Sequence, residues 1–283
     1  MALYLCHDLH LAGLPGVDPE HEWSPSLLAF RAQLETAFIG ALRSATGVSN
    51  GPRPGAVRRA VIQMLDDDHS PSLSAFMLER GTLDQMRRIV VHRSGYQLAE
   101  GDFHSFAIPR LAGEAKRNLV RIQAGEYGCD APDREMHSVL FARAMRSLGL
   151  DDRRHAHLDV LPASALAVSN MISTFGLRRR WRGALAGQLA AFELTSVEPM
   201  RRYGSALRRL GAAPDACRFY DVHVLADAEH EQWGLDMIEG LARSAPDLTG
   251  DIMFGVASTI EVERRFALDL FECWGDDVSA NSV

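Results

Sequence analysis

Cysteine is scarce in this chain, and the spacing of the few present suits neither disulfides nor zinc. Only four occur, Cys6, Cys129, Cys217 and Cys273, and no two form a CxxC pair. That scatter argues against a disulfide framework and a structural zinc site, and fits a reducing, cytoplasmic setting. Long apolar runs are missing too: none approaches the roughly 20 residues needed to cross a bilayer. The short apolar stretch from Met1 to His10 has no basic leader, so it does not read as a signal peptide. Positive charge is in deficit, with 30 Lys and Arg against 37 Asp and Glu for a net charge of −7, which excludes a general affinity for nucleic acid. The local basic runs Arg178, Arg179, Arg180 and Arg201, Arg202 read as solvated helix ends. Alternating apolar and polar residues are rare, Asn-Gly occurs once, at Asn50 and Gly51, and no internal repeat or low-complexity tract is present. Sheet architectures and repeat solenoids are thereby excluded.

What remains is helix. Apolar residues at 47% and charged residues at 24% describe an ordinary globular chain long enough for a sizeable core. Residues 1–23 show no period and are expected to be an irregular lead-in. From Ser24 the pattern turns helical, with Leu27, Leu28, Phe30, Leu34, Phe38, Ile39 and Leu42 at mostly three- and four-residue steps behind a Ser24-Pro25 start signal. Further helices are expected from Ala56 to Leu65, from Ser70-Pro71, from a Thr82 cap, and then over 114–127, 133–148, 163–176, 177–210, 215–243 and 247–273. The reading is one all-α domain of nine or ten helices over 24–273, with 274–283 a tail.

The strongest chemical signal is His223-x3-Asp227-x2-His230. Offsets of four and seven residues put three side chains on one helix face. His223 and His230 would lie about 10.5 Å apart along the axis, long for one ion but suited to a pair of metals with Asp227 between them. Imidazole plus carboxylate suits iron, and also manganese or zinc. The neighbours Val222, Leu225 and Ala226 are apolar, and polar groups in such surroundings need partners. Other helices must supply them. Glu193 lies in the apolar run from Leu185 to Leu194, where a carboxylate is costly unless paired or metal-bound, with Glu198 the weaker alternative. Gly183 and Gly187 would let that helix approach a neighbour closely. Glu126 and His137 are further candidates. On one straight helix they would be about 16.5 Å apart, so Gly128 and Pro132 must break it; Asp133 or Glu135 could ligate instead. Arg93, Tyr96 and Gln97 share a helix that could face a cavity, but they read as structural.

The strings GEYGCDAPDREMHSVLFARAMRSLGLD, FGLRRRWRGALAGQLAAFELTS and FYDVHVLADAEHEQWGL resemble the bacterial iron-containing redox enzymes, the haem-oxygenase-like di-iron oxidases, and VHRSGYQLAEGDFHSFAIPRL resembles their upstream region. The resemblance spans roughly residues 25–270. It implies a haem-oxygenase-like helical bundle with additional N-terminal helices (24–112 accessory, 113–273 the metal-binding core), a homodimer, and two irons held by Glu126, His137, Glu193, His223, Asp227 and His230. It also implies O2 as co-substrate, an external reductant, and a small-molecule substrate oxidised by N-oxygenation or carbon–carbon cleavage in a natural-product pathway. Some members carry one more glutamate shortly before the first-helix histidine; here only Asp130, Asp133 and Glu135 stand nearby. Two other classes compete. A metal-independent enzyme on the same fold, thiaminase-like, would need a cysteine nucleophile with a base, and a non-catalytic helical binding protein would need no inward-facing histidines.

Overall fold

The computed structural model describes residues 1–275, except the side chains of Asp227 and Ala228; the last eight residues of the expected tail lie outside the described residues. Thirteen α-helices occur among them, joined by short turns and 3₁₀ segments, with no strand. They are α1 (Ala2–Asp8), α2 (Pro25–Thr46), α3 (Val57–Asp66), α4 (Leu73–Glu79), α5 (Leu83–Gln97), α6 (Asp102–Ser105), α7 (Gly113–Glu126), α8 (His137–Ser147), α9 (Ala163–Leu177), α10 (Arg182–Thr195), α11 (Val197–Arg209), α12 (Pro214–Ser244) and α13 (Thr249–Trp274). The fold is the expected all-α, haem-oxygenase-like bundle.

Local chemistry explains most boundaries. Thr82 forms a capping box: its hydroxyl accepts from the Gln85 amide, while the Gln85 side chain accepts from the Thr82 amide. α4 begins two residues later than the Ser70-Pro71 signal suggests, because Ser72 is the residue whose hydroxyl accepts from the Ala75 amide. The lead-in is not irregular: it holds α1 and a 3₁₀ turn at Pro19–Trp23. α1 is too short to show a period, and long-range pairs hold it. Its buried Asp8 is engaged by Arg154 and by His155 at 2.6 Å, and its buried His7 by Glu35 at 3.2 Å. The single helix expected over 177–210 is three pieces. A 3₁₀ turn occupies Arg179–Trp181, and the chain breaks again at Ser196. Pro199 has no N–H to offer the carbonyl four residues back, so it stands in the first turn of a new helix, where none is needed.

α12 runs through the middle of the bundle, packed on α7, α8, α10 and α11, while α13 covers α9, α10, α2 and α3. The α10–α13 contact is unusually close. A Cβ on Gly187 would fall 2.1 Å from the Ile252 carbonyl oxygen, and one on Gly255 2.0 Å from that of Ala184. Glycine on both helices permits this approach, as expected for Gly187. One core cluster includes Phe175, Trp181 and Phe254; a second gathers Phe76, Phe141, Phe219 and Phe271.

Three histidines outside the central cluster of acids are held in the neutral form. Burial lowers the pKa of His7, His104 and His92, only partly opposed at His7 by Glu35 and at His104 by Gln188. His92 is brought to about 4, with Arg88 and Arg93 adding to the burial effect. Below pH 6.5, and for His92 down to about 4, the unfolded chain binds these protons more fully than the native chain, so stability rises with pH there and is lost as pH falls. Melting temperature should therefore drop steeply between pH 6.5 and 4.5, and His92→Gln should flatten that slope without altering the melting point at pH 8.

Candidate metal centre

Four helices and one turn deliver acids and histidines to a single buried place. Glu126 is the last residue of α7 and His137 the first of α8; the ten residues between them form the break that the sequence demands. Gly128 there has φ +64°, and a Cβ would meet the backbone of Glu135 at 2.7 Å, so the reversal requires glycine. Glu193 comes from the last turn of α10, and His223 and His230 stand about two turns apart on α12. All five are buried. Asp227 lies between the two histidines on α12, but its side chain is outside the described residues.

The sixth described member is Glu100, which the sequence reading missed. It stands just past the end of α5 and is 7% exposed. Its signal was present, since Arg93, Tyr96, Gln97 and Glu100 fall at i, i+3, i+4 and i+7 and so share one face. Gly101, with φ +89°, follows it, and a Cβ there would press on the Glu126 Cβ at 3.3 Å. The glycine thus lets the Glu100 turn close on α7. The acids expected to supplement the set do not reach it. Asp130 is exposed and pairs with Arg134, while Glu135 is engaged by Arg143 and Arg218. Asp133 is exposed, and Glu198 is taken by Arg201 and Arg202 on the surface.

The donors form two groups. Glu100, Glu126, His137 and His223 make one; Glu126, Glu193 and His230 make the other. Within each, one ligand atom per residue lies within 4.8 Å of the others. Glu126 belongs to both, placed as a bridging carboxylate would be. His137 Nδ1 is 3.0 Å from Glu126 Oε2, and His230 Nδ1 is 3.7 Å from Glu126 Oε1 and 3.2 Å from Glu193 Oε2. The His137 and His223 rings are 4.1 Å apart between centroids.

Electrostatics separates the carboxylates. Burial pushes Glu126 up, but His137, His223 and His230 together outweigh it and bring its pKa down to about 2. Glu100 moves upward, because burial there exceeds the help from His223. His223 Nδ1 lies 2.8 Å from the Phe219 carbonyl, so it carries the proton and Nε2 is left as a ligand atom. Glu100 Oε2 is buried without a hydrogen-bond partner, 3.6 Å from His223 Nε2. Three carboxylates and three imidazoles out of water, with an orphaned oxygen among them, are costly unless cations are added. The hard-oxygen and imidazole donor set fits iron.

Space for one ligand ring was also set aside. A Cβ on Gly125 would fall 2.6 Å from His230 Nε2. Gly125→Ala should push that imidazole out of place and weaken metal binding at the second group by at least about tenfold, the scale seen when groups that orient a ligand are lost. Competition with a chromophoric chelator reads this directly.

Beside the cluster opens a cavity of about 330 Å³. Glu100, Glu126, Glu193 and His223 line it, and Tyr96, Phe141, Phe192, Tyr203, Phe219 and Tyr220 supply aromatic walls. Arg93 and Gln97, read from sequence as structural, line it too, as does Tyr96. Arg178 does not; it is paired with Glu35. No cysteine lines this cavity. Cys6 and Cys217 are buried, which raises their thiol pKa values, while Cys129 and Cys273 are exposed. No helix among the described residues is long and apolar enough to cross a membrane.

The sequence profile of a family described as iron-containing redox enzyme matches residues 87–264, more than half of the chain. Two crystal structures of a CadD-like protein of unknown function from Nostoc punctiforme are similar to the fold. The 2.00 Å structure gives a TM-score of 0.60 at 16% identity, covering 81% of this chain and 99% of that one. The 1.35 Å structure gives 0.57 at 16% identity, covering 77% and 94%. No curated protein matches the sequence significantly. The profile takes in the six described donor residues.

Proposed function

Because the chain belongs to the family of iron-containing redox enzymes, we propose that it is a non-haem di-iron oxidase or oxygenase that uses O2 to oxidise a small molecule. N-oxygenation or oxidative carbon–carbon cleavage, within a natural-product pathway, is the chemistry we assign. The observation that carries this reading is the pair of buried histidine–carboxylate groups sharing Glu126 at the wall of a 330 Å³ cavity. Two irons bound there would supply the electrons for reducing O2.

The rest falls to the chain's own residues. Glu126, kept ionised by three histidines, would be shared by both positions. Glu100 and Glu193 would each serve one position alone. Phe219 holds the His223 ring through its carbonyl. The aromatic walls would displace water from the faces of a bound substrate, which strengthens charge interactions there. A thiaminase-like reaction would need a thiol at the cavity, and the described cysteines are elsewhere. We further assign an external reductant, a homodimer and a cytoplasmic location.

Anaerobic purification followed by iron analysis and oxygen-electrode assay tests the reading. About two irons per chain, with O2 uptake that stops in His223→Ala, is the expected result. Protein that takes up no iron, or consumes no O2 when loaded, would discard it.

A further inference from the structure

Glu100 differs from the other described donors in what holds it. Glu126, His137, Glu193, His223 and His230 all belong to helices, whereas Glu100 lies in the turn between α5 and α6. Its own amide reaches the Gln97 carbonyl only at 3.4 Å. Turns open more readily than helix interiors, so a carboxylate on one must be positioned by something other than a helical ladder.

The next residue supplies the link. The Gly101 carbonyl oxygen accepts from Gln123 Nε2 at 2.6 Å, and Gln123 stands on α7 one turn before Glu126. The same amide nitrogen is 2.8 Å from Ser105 Oγ. Ser105 Oγ is in turn 2.9 Å from the Tyr127 hydroxyl, which donates to Asp102 Oδ1 at 2.9 Å. The two ends fix the direction of this chain. An amide nitrogen only donates and a carboxylate only accepts, so Ser105 donates to Tyr127 and Tyr127 to Asp102. Four hydrogen bonds thus tie the segment from Gly101 to Ser105 onto Gln123 and Tyr127, the two residues that flank Glu126 on the same helix face. Gln123 is 3% exposed, so its donors have no water to turn to if the segment moves away.

The network serves one metal position. α7 keeps its own shape through the helical ladder, with the Tyr127 amide 3.0 Å from the Gln123 carbonyl. Glu193 and His230 come from α10 and α12, elements outside the network. We propose that Gln123, Ser105, Tyr127 and Asp102 are positioning residues that hold the Glu100 carboxylate at the position it shares with Glu126, His137 and His223. Without them that position alone loses metal affinity. This rests on the two-metal reading of the site, but not on any turnover.

The test is a titration of the chelator-stripped protein with Co(II), whose visible bands report each position as it fills. Wild type should show two steps. Gln123→Met keeps the side-chain length and removes both donors. It should weaken one step at least about tenfold, the scale for partners that orient a ligand, and leave the other within about twofold. Tyr127→Phe keeps the ring against Gly101 and covers the case in which Gln123→Met fails to fold. It should weaken the same step by about two- to tenfold, as one lost hydrogen bond would. Glu100→Ala identifies that step by lacking it. In the Glu100→Ala background, adding Gln123→Met or Tyr127→Phe should leave the remaining step unchanged, because the network acts through Glu100. A network that merely supports the bundle would weaken both steps, or would still weaken the remaining one when Glu100 is gone, and either result overturns the proposal. Two wild-type steps that ignore both substitutions overturn it as well, with the two-metal reading intact. Wild type that binds fewer than two Co(II) overturns both together.

Discussion

Glu126→Ala is expected to leave the folded chain almost without iron, with both positions emptied by one substitution. Every other described donor serves one group, whereas Glu126 serves two. His137, His223 and His230 also surround its carboxylate and hold it ionised. Removal therefore withdraws a ligand from each position and leaves His137 without the acid that orients it. Loss of a merely orienting partner costs 10- to 100-fold in metal affinity, so loss of a shared ligand should exceed about 100-fold at both positions. Glu126→Gln should behave nearly as badly, because a neutral amide cannot balance two cations. Iron analysis after anaerobic reconstitution, with circular dichroism as a fold control, reads the outcome. Retention of half the iron would show that the two groups are independent and that the bridging placement is wrong.

How much of this was legible in the chain follows from what local sequence encodes. The 3.6-residue period and the absence of alternation gave the all-helical class, and Thr82, Pro214 and Gly47 mark helix ends by their own chemistry. His223 and His230 were readable because one helix carries both, so spacing alone puts them on one face. Glu193 was readable because its run is apolar throughout. Glu126 and His137 needed the glycine–proline break, which local rules supply. Glu100 was missed because its partners are 26 or more residues away, and because acids closer to His137 drew attention. Proximity in sequence favoured Asp133 and Glu135, yet the loop turns both outward, where water or arginine satisfies them more cheaply than burial. α1 was missed for a related reason. Seven residues cannot show a period, and Asp8 and His7 are held by Arg154, His155 and Glu35 from distant parts of the chain.

That contrast gives a second large effect. Glu100→Ala should lower bound iron to about half of the wild-type content, while Asp130→Asn, Asp133→Asn and Glu135→Gln leave it unchanged. Glu100 belongs only to the group with Glu126, His137 and His223, so the Glu193–His230 side should keep its ion. The other three acids are at the surface, two of them engaged by arginines, where exposed pairs contribute little. Stability should move in the opposite direction from function. In iron-free protein Glu100 is a buried carboxylate with an unpartnered oxygen, so its removal relieves a desolvation cost and the apo form should melt no lower than wild type. The iron-loaded wild type should melt higher than its apo form, since an ion that binds only the native state stabilises it, and the variant should lose part of that increment. Equal iron and equal melting increments in Glu100→Ala and wild type would remove Glu100 from the ligand set.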